Sequence, residues 1–342
     1  MGFTAARPRR QERITREYYK RVLQERKRDD ARSMVDPACA TKPRGEKTLF
    51  SQNTYIGLDP PERDSQRATR DESGQVPEKK MNIHDFHRRK VASEKISMVT
   101  CYDYWSAQLL NDTDLDTLLV GDSLAMVMHG FSSTVHATVP MMATHIAAVR
   151  RGAPDKFIVG DMPFLAARRE RNEVLDAVCE LMQAGSNAIK IEGAAGQLDT
   201  VAHVVESGVP VMGHLGLTPQ SVEGLGGHKV QGRTESAAEK IYQDAMALQE
   251  AGCFALVLEC VPQNLGRQIT RSLDIPTIGI GAGVHTDGQV LVLQDMLGMQ
   301  PQFKPKFLRH YLDGHAQLSG AVNAFHHDVS AGAFPNCEEI YR

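Results

Sequence analysis

Ala184-Gly-Ser-Asn-Ala-Ile-Lys-Ile-Glu192 closes a helical pattern on a glycine and then opens a short apolar run that ends in an acid. The helix before it carries Val174, Leu175, Val178, Leu181 and Met182, the spacing of one buried helix face. A glycine just past the last apolar residue is the usual place for such a helix to stop. The same phrase recurs downstream, where Ser207-Gly208 precedes Val209-Pro-Val-Met-Gly-His214 and Ala251-Gly252 precedes Ala255-Leu-Val-Leu-Glu259. Upstream, Ile96-Ser-Met-Val-Thr-Cys101, Thr117-Leu-Leu-Val-Gly-Asp-Ser123 and Phe157-Ile-Val-Gly-Asp161 are further apolar runs, and Pro276-Thr-Ile-Gly-Ile-Gly281 follows the last of the recurrences. Runs apolar throughout fit strands buried on both faces, and strands alternating with helices predict parallel βα units. An eighth strand is expected near Lys304 to Leu308, before a terminal helix from His315 to Val329. Eight units within residues 81–342 suit a closed (β/α)8 TIM barrel of roughly 250 residues better than an open doubly wound sheet.

Helices are also expected over Ile83–Lys95, Ser106–Leu110, Met141–Arg151 and Asn264–Leu273. Between Ser123 and Pro140 lies a long connection holding Gly130 and Ser132-Ser-Thr134, which reads as a lid or binding loop.

Charge divides the chain unevenly. Residues 1–80 hold 19 Lys and Arg against 13 Asp and Glu, whereas residues 81–342 hold 20 against 29. The first segment is basic and poor in apolar residues, with only Ile14, Tyr18, Val22 and Leu23 on helical spacing, so it reads as a largely disordered extension. A mitochondrial presequence or a polyanion-binding arm is the alternative. The acidic body argues against nucleic acid as its partner. No window approaches the roughly 18 to 20 apolar residues of a membrane span, and no secretory signal opens the chain. Six scattered cysteines (Cys39, Cys101, Cys179, Cys253, Cys260 and Cys337) lack paired spacing and suggest free thiols in a reducing, cytoplasmic compartment.

The chemistry is expected at strand ends. Asp122, Asp161 and Glu192 close three consecutive strands, where barrel enzymes place working groups, and three acids in series suggest a site for a hard cation. Any one of them alone would be an ordinary helix cap or loop anchor. Lys190 shares a strand face with Glu192, a costly place for an idle charge. Glu259 ends the sixth strand; taken alone it would be a loop ion-pair partner. His214 fits either a hydrogen-bonded barrel histidine or a substrate contact. Gly279-Ile-Gly-Ala-Gly283 lacks the Lys-Ser/Thr of a phosphate loop, so tight packing explains it better.

Several phrases carry a resemblance that extends from Met81 to the C-terminus. Val99-Thr-Cys-Tyr-Asp-Tyr104, Val120-Gly-Asp-Ser-Leu124, Ala148-Val-Arg-Arg-Gly152, Ile189-Lys-Ile-Glu-Gly193, Gly213-His-Leu-Gly-Leu-Thr-Pro-Gln-Ser221, Gly226-Gly-His-Lys-Val-Gln-Gly-Arg233, Val257-Leu-Glu-Cys-Val-Pro262 and Gly279-Ile-Gly-Ala-Gly283 with Asp287-Gly-Gln289 stand in the order of the ketopantoate hydroxymethyltransferase family, which the chain resembles. That family is a (β/α)8 barrel related to the phosphoenolpyruvate mutase and isocitrate lyase group. It makes ketopantoate from 3-methyl-2-oxobutanoate and 5,10-methylenetetrahydrofolate in pantothenate biosynthesis.

The resemblance implies Mg²⁺ held by Asp122, Asp161 and Glu192, directly or through water. It implies substrate binding by Asp122, Ser123, Asp161 and Lys190, and Glu259 as the proton acceptor. It also implies a homo-oligomer, commonly a decamer. The chain departs from the family pattern at His136 and Ala137, where Pro and Val are expected, and at His228, which replaces an aromatic residue. The competing expectations are another lyase or mutase of the same barrel group acting beside a 2-oxo acid, and a non-catalytic barrel. Such lyases carry a cysteine-containing catalytic loop that is not recognised between Asp161 and Lys190, and a non-catalytic barrel would not need all five charged residues.

Overall fold

Why the strands close into a ring follows from their burial. The structure, a computed structural model, describes residues 80–341. The expectations for residues 1–79 lie outside the described residues. Eight parallel strands pair in chain order into a closed barrel: β1 (Ile96–Thr100), β2 (Thr117–Val120), β3 (Phe157–Asp161), β4 (Ala188–Glu192), β5 (Val211–Gly216), β6 (Ala255–Glu259), β7 (Thr277–Ile280) and β8 (Gly288–Leu291). Ile96, Met98, Leu119, Phe157, Val159, Ala188, Met212, Val257, Ile278 and Val290 point inward and fill the barrel. The alternate residues, among them Val99, Leu118, Ile158, Ile189 and Leu256, pack outward beneath the helices. Strands buried on both faces have no polar side to turn to water, which is why their sequences do not alternate.

The helices are α1 (Ile83–Ala92), α2 (Tyr104–Asn111), α3 (Leu124–Val127), α4 (Val139–Gly152), α5 (Arg171–Gln183), α6 (Leu198–Glu206), α7 (Glu235–Glu250), α8 (Gln263–Ser272), α9 (Leu293–Met296) and α10 (Gly314–Ser330). Helix α1 opens on a capping box: the Asn82 side chain accepts from the helix, and Asp85 accepts from the Asn82 N–H at 2.9 Å. It joins the strands' N-terminal end, where Phe86 packs edge-on against Phe157 and Phe254 at centroid distances of 5.2 and 5.1 Å. Functional groups are thereby left to the opposite mouth.

Three expectations need correction. The eighth strand is Gly288–Leu291, whereas residues 304–308 form no strand. Gly288 pairs with both Ile96 and Ile278 in the ladders, and a Cβ there would collide with the Ile96 carbonyl oxygen. A glycine is needed for that approach, and the apolar run after it, Val290–Leu293, belongs only in part to the strand before it passes into α9. The connection from Ser123 to Pro140 is also more ordered than a plain loop, since it contains α3 and a 3₁₀ turn over Thr134–His136. The fifth strand runs two residues later than expected, ending at Gly216.

Glycine packing accounts for Gly279, where a Cβ would sit 2.7 Å from Thr286 Oγ1. All described cysteines are free thiols, with Cys101 and Cys253 buried. Among the described residues, no helix is long and apolar enough to cross a membrane.

Candidate active site

Strand parity builds the site. Phe157 and Val159 point into the barrel, so Asp161, two residues on, does too; Ala188 sets the same face for Lys190 and Glu192, and Met212 sets it for His214. On β6, Ala255 and Val257 lead to Glu259. The register then brings rows side by side, Asp161 beside Lys190 and Glu192 beside His214. The lower layers are therefore apolar, and the layer at the C-terminal mouth is charged. Asp122 and Ser123 come from the turn just after β2, where the Asp122 N–H donates to Asp161 Oδ2 at 3.2 Å.

Asp122, Asp161 and Glu192 are buried and each offers one oxygen, all within 4.8 Å of one another. Lys190 Nζ lies 2.8 Å from Asp161 Oδ1, 3.7 Å from Glu192 Oε1 and 3.3 Å from His214 Nδ1. His214 joins the acid cluster to Glu259: its Nδ1 lies 3.3 Å from Glu192 Oε1 and its Nε2 3.3 Å from Glu259 Oε2. The Glu259 side chain is 20% exposed, against 2% for Asp161 and 4% for Glu192, so it faces the open part of the site. Gly216 has φ +97°, and a side chain there would collide with the Glu259 carbonyl oxygen; glycine lets the β5 end close against the β6 end.

Burial, then the neighbouring Asp161 and Glu192 charges, push the Asp122 carboxyl well above the usual carboxylate range against the pull of Lys190 and Gln220. Burial likewise raises Asp161, with Lys190 opposing it. Burial works against the Lys190 ammonium, but Asp161, Glu192 and Asp122 outweigh it and hold the lysine charged. Burial would also raise Glu192, yet the His214 hydrogen bond and charge and the Lys190 charge draw it below its ordinary value. Burial and Lys190 disfavour imidazolium at His214, but Glu192 and Glu259 carry it up to about 9. The mouth thus gathers more carboxylates than cations in a nearly dry place. Three oxygen donors with that surplus suit a hard divalent cation.

A cavity of about 120 Å³ joins these groups, lined on its apolar side by Leu119, Val257, Ile280 and Val290. All six charged or hydroxyl residues singled out from the sequence (Asp122, Ser123, Asp161, Lys190, Glu192 and Glu259) line it, and His214 joins them. Two further residues had no such assignment. Gln220 donates from Nε2 to Asp122 Oδ2 and to the Met162 carbonyl, both at 2.9 Å, and its backbone N–H donates to Glu192 Oε2 at 3.1 Å. Tyr102, fully buried, shares a 2.8 Å hydrogen bond with Ser123 Oγ. Both stand inside motif phrases of the sequence, but nothing in their spacing marks them. Cys179, between Asp161 and Lys190 in sequence, is exposed on α5 and does not line the cavity.

The family model described as ketopantoate hydroxymethyltransferase matches residues 80–337. A relative from Bdellovibrio bacteriovorus, 3-methyl-2-oxobutanoate hydroxymethyltransferase, is 58% identical over 259 residues, covering 76% of this chain and 98% of its own length. Relatives of the same name from Coxiella burnetii and Francisella tularensis are 57% and 52% identical, covering 75% and 76% of this chain and 97% and 98% of theirs. Among solved structures, phosphonopyruvate hydrolase in complex with oxalate and Mg²⁺ aligns with TM-score 0.51 at 11% identity, covering 76% of this chain and 93% of that one. Phosphoenolpyruvate phosphomutase from Streptomyces platensis subsp. rosaceus aligns with TM-score 0.50 at 10% identity, over 74% and 88%. At such identities the structural likeness is one of fold.

Proposed function

The chain belongs to the ketopantoate hydroxymethyltransferase family, and on that premise we propose how its barrel mouth transfers a hydroxymethyl group from 5,10-methylenetetrahydrofolate to 3-methyl-2-oxobutanoate, giving ketopantoate. One observation carries the reading: three buried acids converge within 4.8 Å on one side of His214, and Glu259 stands on its other side, facing the cavity.

Asp122, Asp161 and Glu192 are the residues that would hold Mg²⁺, directly or through water. When bound, Mg²⁺ draws electron density from the ketone of a 2-oxo acid and so acidifies its C3–H. Lys190, fixed 2.8 Å from Asp161, offers a permanent positive charge to the substrate's oxygens, and Ser123, anchored by Tyr102, offers a hydroxyl. Leu119, Val257 and Val290 receive the branched apolar end. Glu259 takes the C3 proton, leaving the enolate to form a carbon–carbon bond with the one-carbon unit; overall, one water is consumed and tetrahydrofolate released. The enzyme works as a homo-oligomer, as the family resemblance implies.

The test is the purified protein with 3-methyl-2-oxobutanoate, 5,10-methylenetetrahydrofolate and Mg²⁺, scored for ketopantoate. Product that disappears on chelation and returns with Mg²⁺ is expected; a folded, metal-loaded protein that makes none overturns the reading.

A further inference from the structure

We propose that a second groove at the barrel mouth, lined by Phe164, Leu165 and Arg168, binds the benzoylglutamate part of the folate co-substrate, with the ring against the apolar residues and a glutamate carboxylate on the guanidinium. The proposal deepens the reading above and rests on it.

The groove adjoins the acid cluster. A cavity of about 100 Å³ is lined by Glu192, which also lines the first cavity, and by Gln220, whose amide reaches Asp122. An occupant therefore lies beside the candidate cation site. The loop between β3 and α5 supplies the exposed part of the lining, where Phe164 and Leu165 are 40% and 49% exposed.

That loop is shaped at some cost. Leu165 stands at φ +59°, a left-handed conformation that a leucine side chain resists. The turn around it is fixed, because the Ala166 N–H donates to the Pro163 carbonyl at 2.9 Å and the Arg168 N–H to the Leu165 carbonyl at 3.1 Å. Ala166 and Ala167 are thereby buried while two large apolar side chains stay in the open, and the 3₁₀ turn Ala166–Arg168 delivers the arginine to the groove. Burial of apolar surface alone would select the opposite arrangement, whereas a ligand wall requires this one.

Arg168 brings a positive charge that its own surroundings do not use. Its Nη1 donates to the Ala195 carbonyl at 3.1 Å, which holds the guanidinium against the turn between β4 and α6. The adjacent Arg169 reaches Glu173 at 3.9 Å, but among the described residues no carboxylate pairs with Arg168. The rest of its planar fork of donors suits a carboxylate from a ligand.

The co-substrate presents the matching groups. Its one-carbon unit bridges two nitrogens, one of which bears the benzoyl ring, and the ring's amide ends in glutamate. With the reacting carbon held beside the enolate, the ring lies close to the reacting centre and the glutamate carboxylates trail beyond it. Asp122, Asp161 and Glu192 gather negative charge that repels such a tail, so a cation beside them is what holds it. Arg168 supplies that cation, and Phe164 and Leu165 give the ring an apolar face.

The experiment titrates tetrahydrofolate, and tetrahydropteroate, which lacks the glutamate, onto the full chain with Mg²⁺ and 3-methyl-2-oxobutanoate in a calorimeter. The native chain should bind tetrahydrofolate at least about 10-fold more tightly than tetrahydropteroate, and Arg168→Ala should bind the two alike. If Arg168→Ala does not fold, Arg168→Gln, which keeps a donor for the Ala195 carbonyl, makes the same comparison. Phe164→Ala should weaken both ligands by about 5-fold while keeping the preference between them. A native chain without the preference, or an arginine variant that retains it, overturns the proposal alone, provided that the native chain makes ketopantoate. A folded, metal-loaded native chain that makes none overturns the proposal together with the reading on which it rests.

Discussion

His214 stands 3.3 Å from Glu259, its Nε2 facing Oε2, while its other ring nitrogen faces Glu192. The proposed base is therefore held from behind by an imidazole that is itself gripped by the acid cluster. This arrangement ties the position of Glu259 to the state of the candidate cation site. A charged imidazolium, favoured by Glu192 and Glu259, keeps that grip through neutral pH.

Glu259→Gln keeps the shape of the side chain and removes its basicity. Binding of the 2-oxo acid with Mg²⁺ should survive, while exchange of the substrate's C3 proton with solvent deuterium should fall about 10² to 10⁴-fold. Near-normal exchange, followed by NMR in deuterated buffer, would exclude Glu259 as the base.

Asp161→Ala deletes the carboxylate that touches Lys190 at 2.8 Å and accepts from the Asp122 N–H. Mg²⁺-dependent binding of 3-methyl-2-oxobutanoate should weaken by at least about 10 to 100-fold in calorimetry. Unchanged binding would count against the acid cluster as the cation site.

Protons and cation should compete for Asp122. Burial beside Asp161 and Glu192 raises its carboxyl, so the ionised form that a cation needs is disfavoured as pH falls. Mg²⁺ affinity should therefore drop on acidification, and the protons released on binding should increase as pH falls, seen as a growing dependence of the measured heat on the buffer's ionisation enthalpy. Affinity that does not fall as the pH is lowered would count against Asp122 as a ligand to the cation.

Much of the barrel and nearly all of the acid cluster were legible because both follow from strand parity. Continuous apolar runs declare strands buried on both faces, and an acid an even number of residues past an inward apolar residue must sit at the mouth, as Asp161 does two residues past Val159 and Glu192 four past Ala188. The eighth strand escaped because its first residue is a glycine demanded by close backbone approach, and because its apolar run Val290–Leu293 is only half strand, the rest leading into α9. Residues 304–308 misled through Phe307 and Leu308, which belong to a turn-rich segment in which Phe307 lies against Gly281 at the end of β7. His214 was undecidable from sequence, since its role depends on two partners from β4 and β6. Gln220 was invisible for a related reason: its importance lies in which carbonyl and carboxylate a loop amide reaches.

A chain starting at Met81 should fold and react as the full chain does. The capping box of Asn82 and Asp85 starts α1 without upstream residues, and Phe86 then seals the barrel end against Phe157 and Phe254. The deletion removes Lys80, whose ion pair with Asp155 at 2.9 Å joins two exposed side chains, and such pairs contribute about 0 to 1 kcal/mol. Its melting temperature, light-scattering mass and ketopantoate formation should match those of the full chain. An insoluble or inactive truncated protein would show that residues 1–80 are integral to the working fold.

Gln220 is the residue by which a loop holds two of the three acids at once. Its Nε2 bridges Asp122 and the Met162 carbonyl, and its N–H fixes Glu192, so it sets the spacing between carboxylates that come from different strands. Gln220→Leu removes the side-chain donor but keeps the backbone one. It leaves Asp122 with one compensating hydrogen bond fewer and so favours the protonated acid. Mg²⁺-dependent binding of the 2-oxo acid should weaken by about 10-fold, with a smaller loss at high pH than at low pH because the proton is then a weaker competitor. A purely structural role would instead lower the melting temperature without this pH-dependent loss of affinity. Equal affinity for the two proteins across that pH range would remove Gln220 from the site.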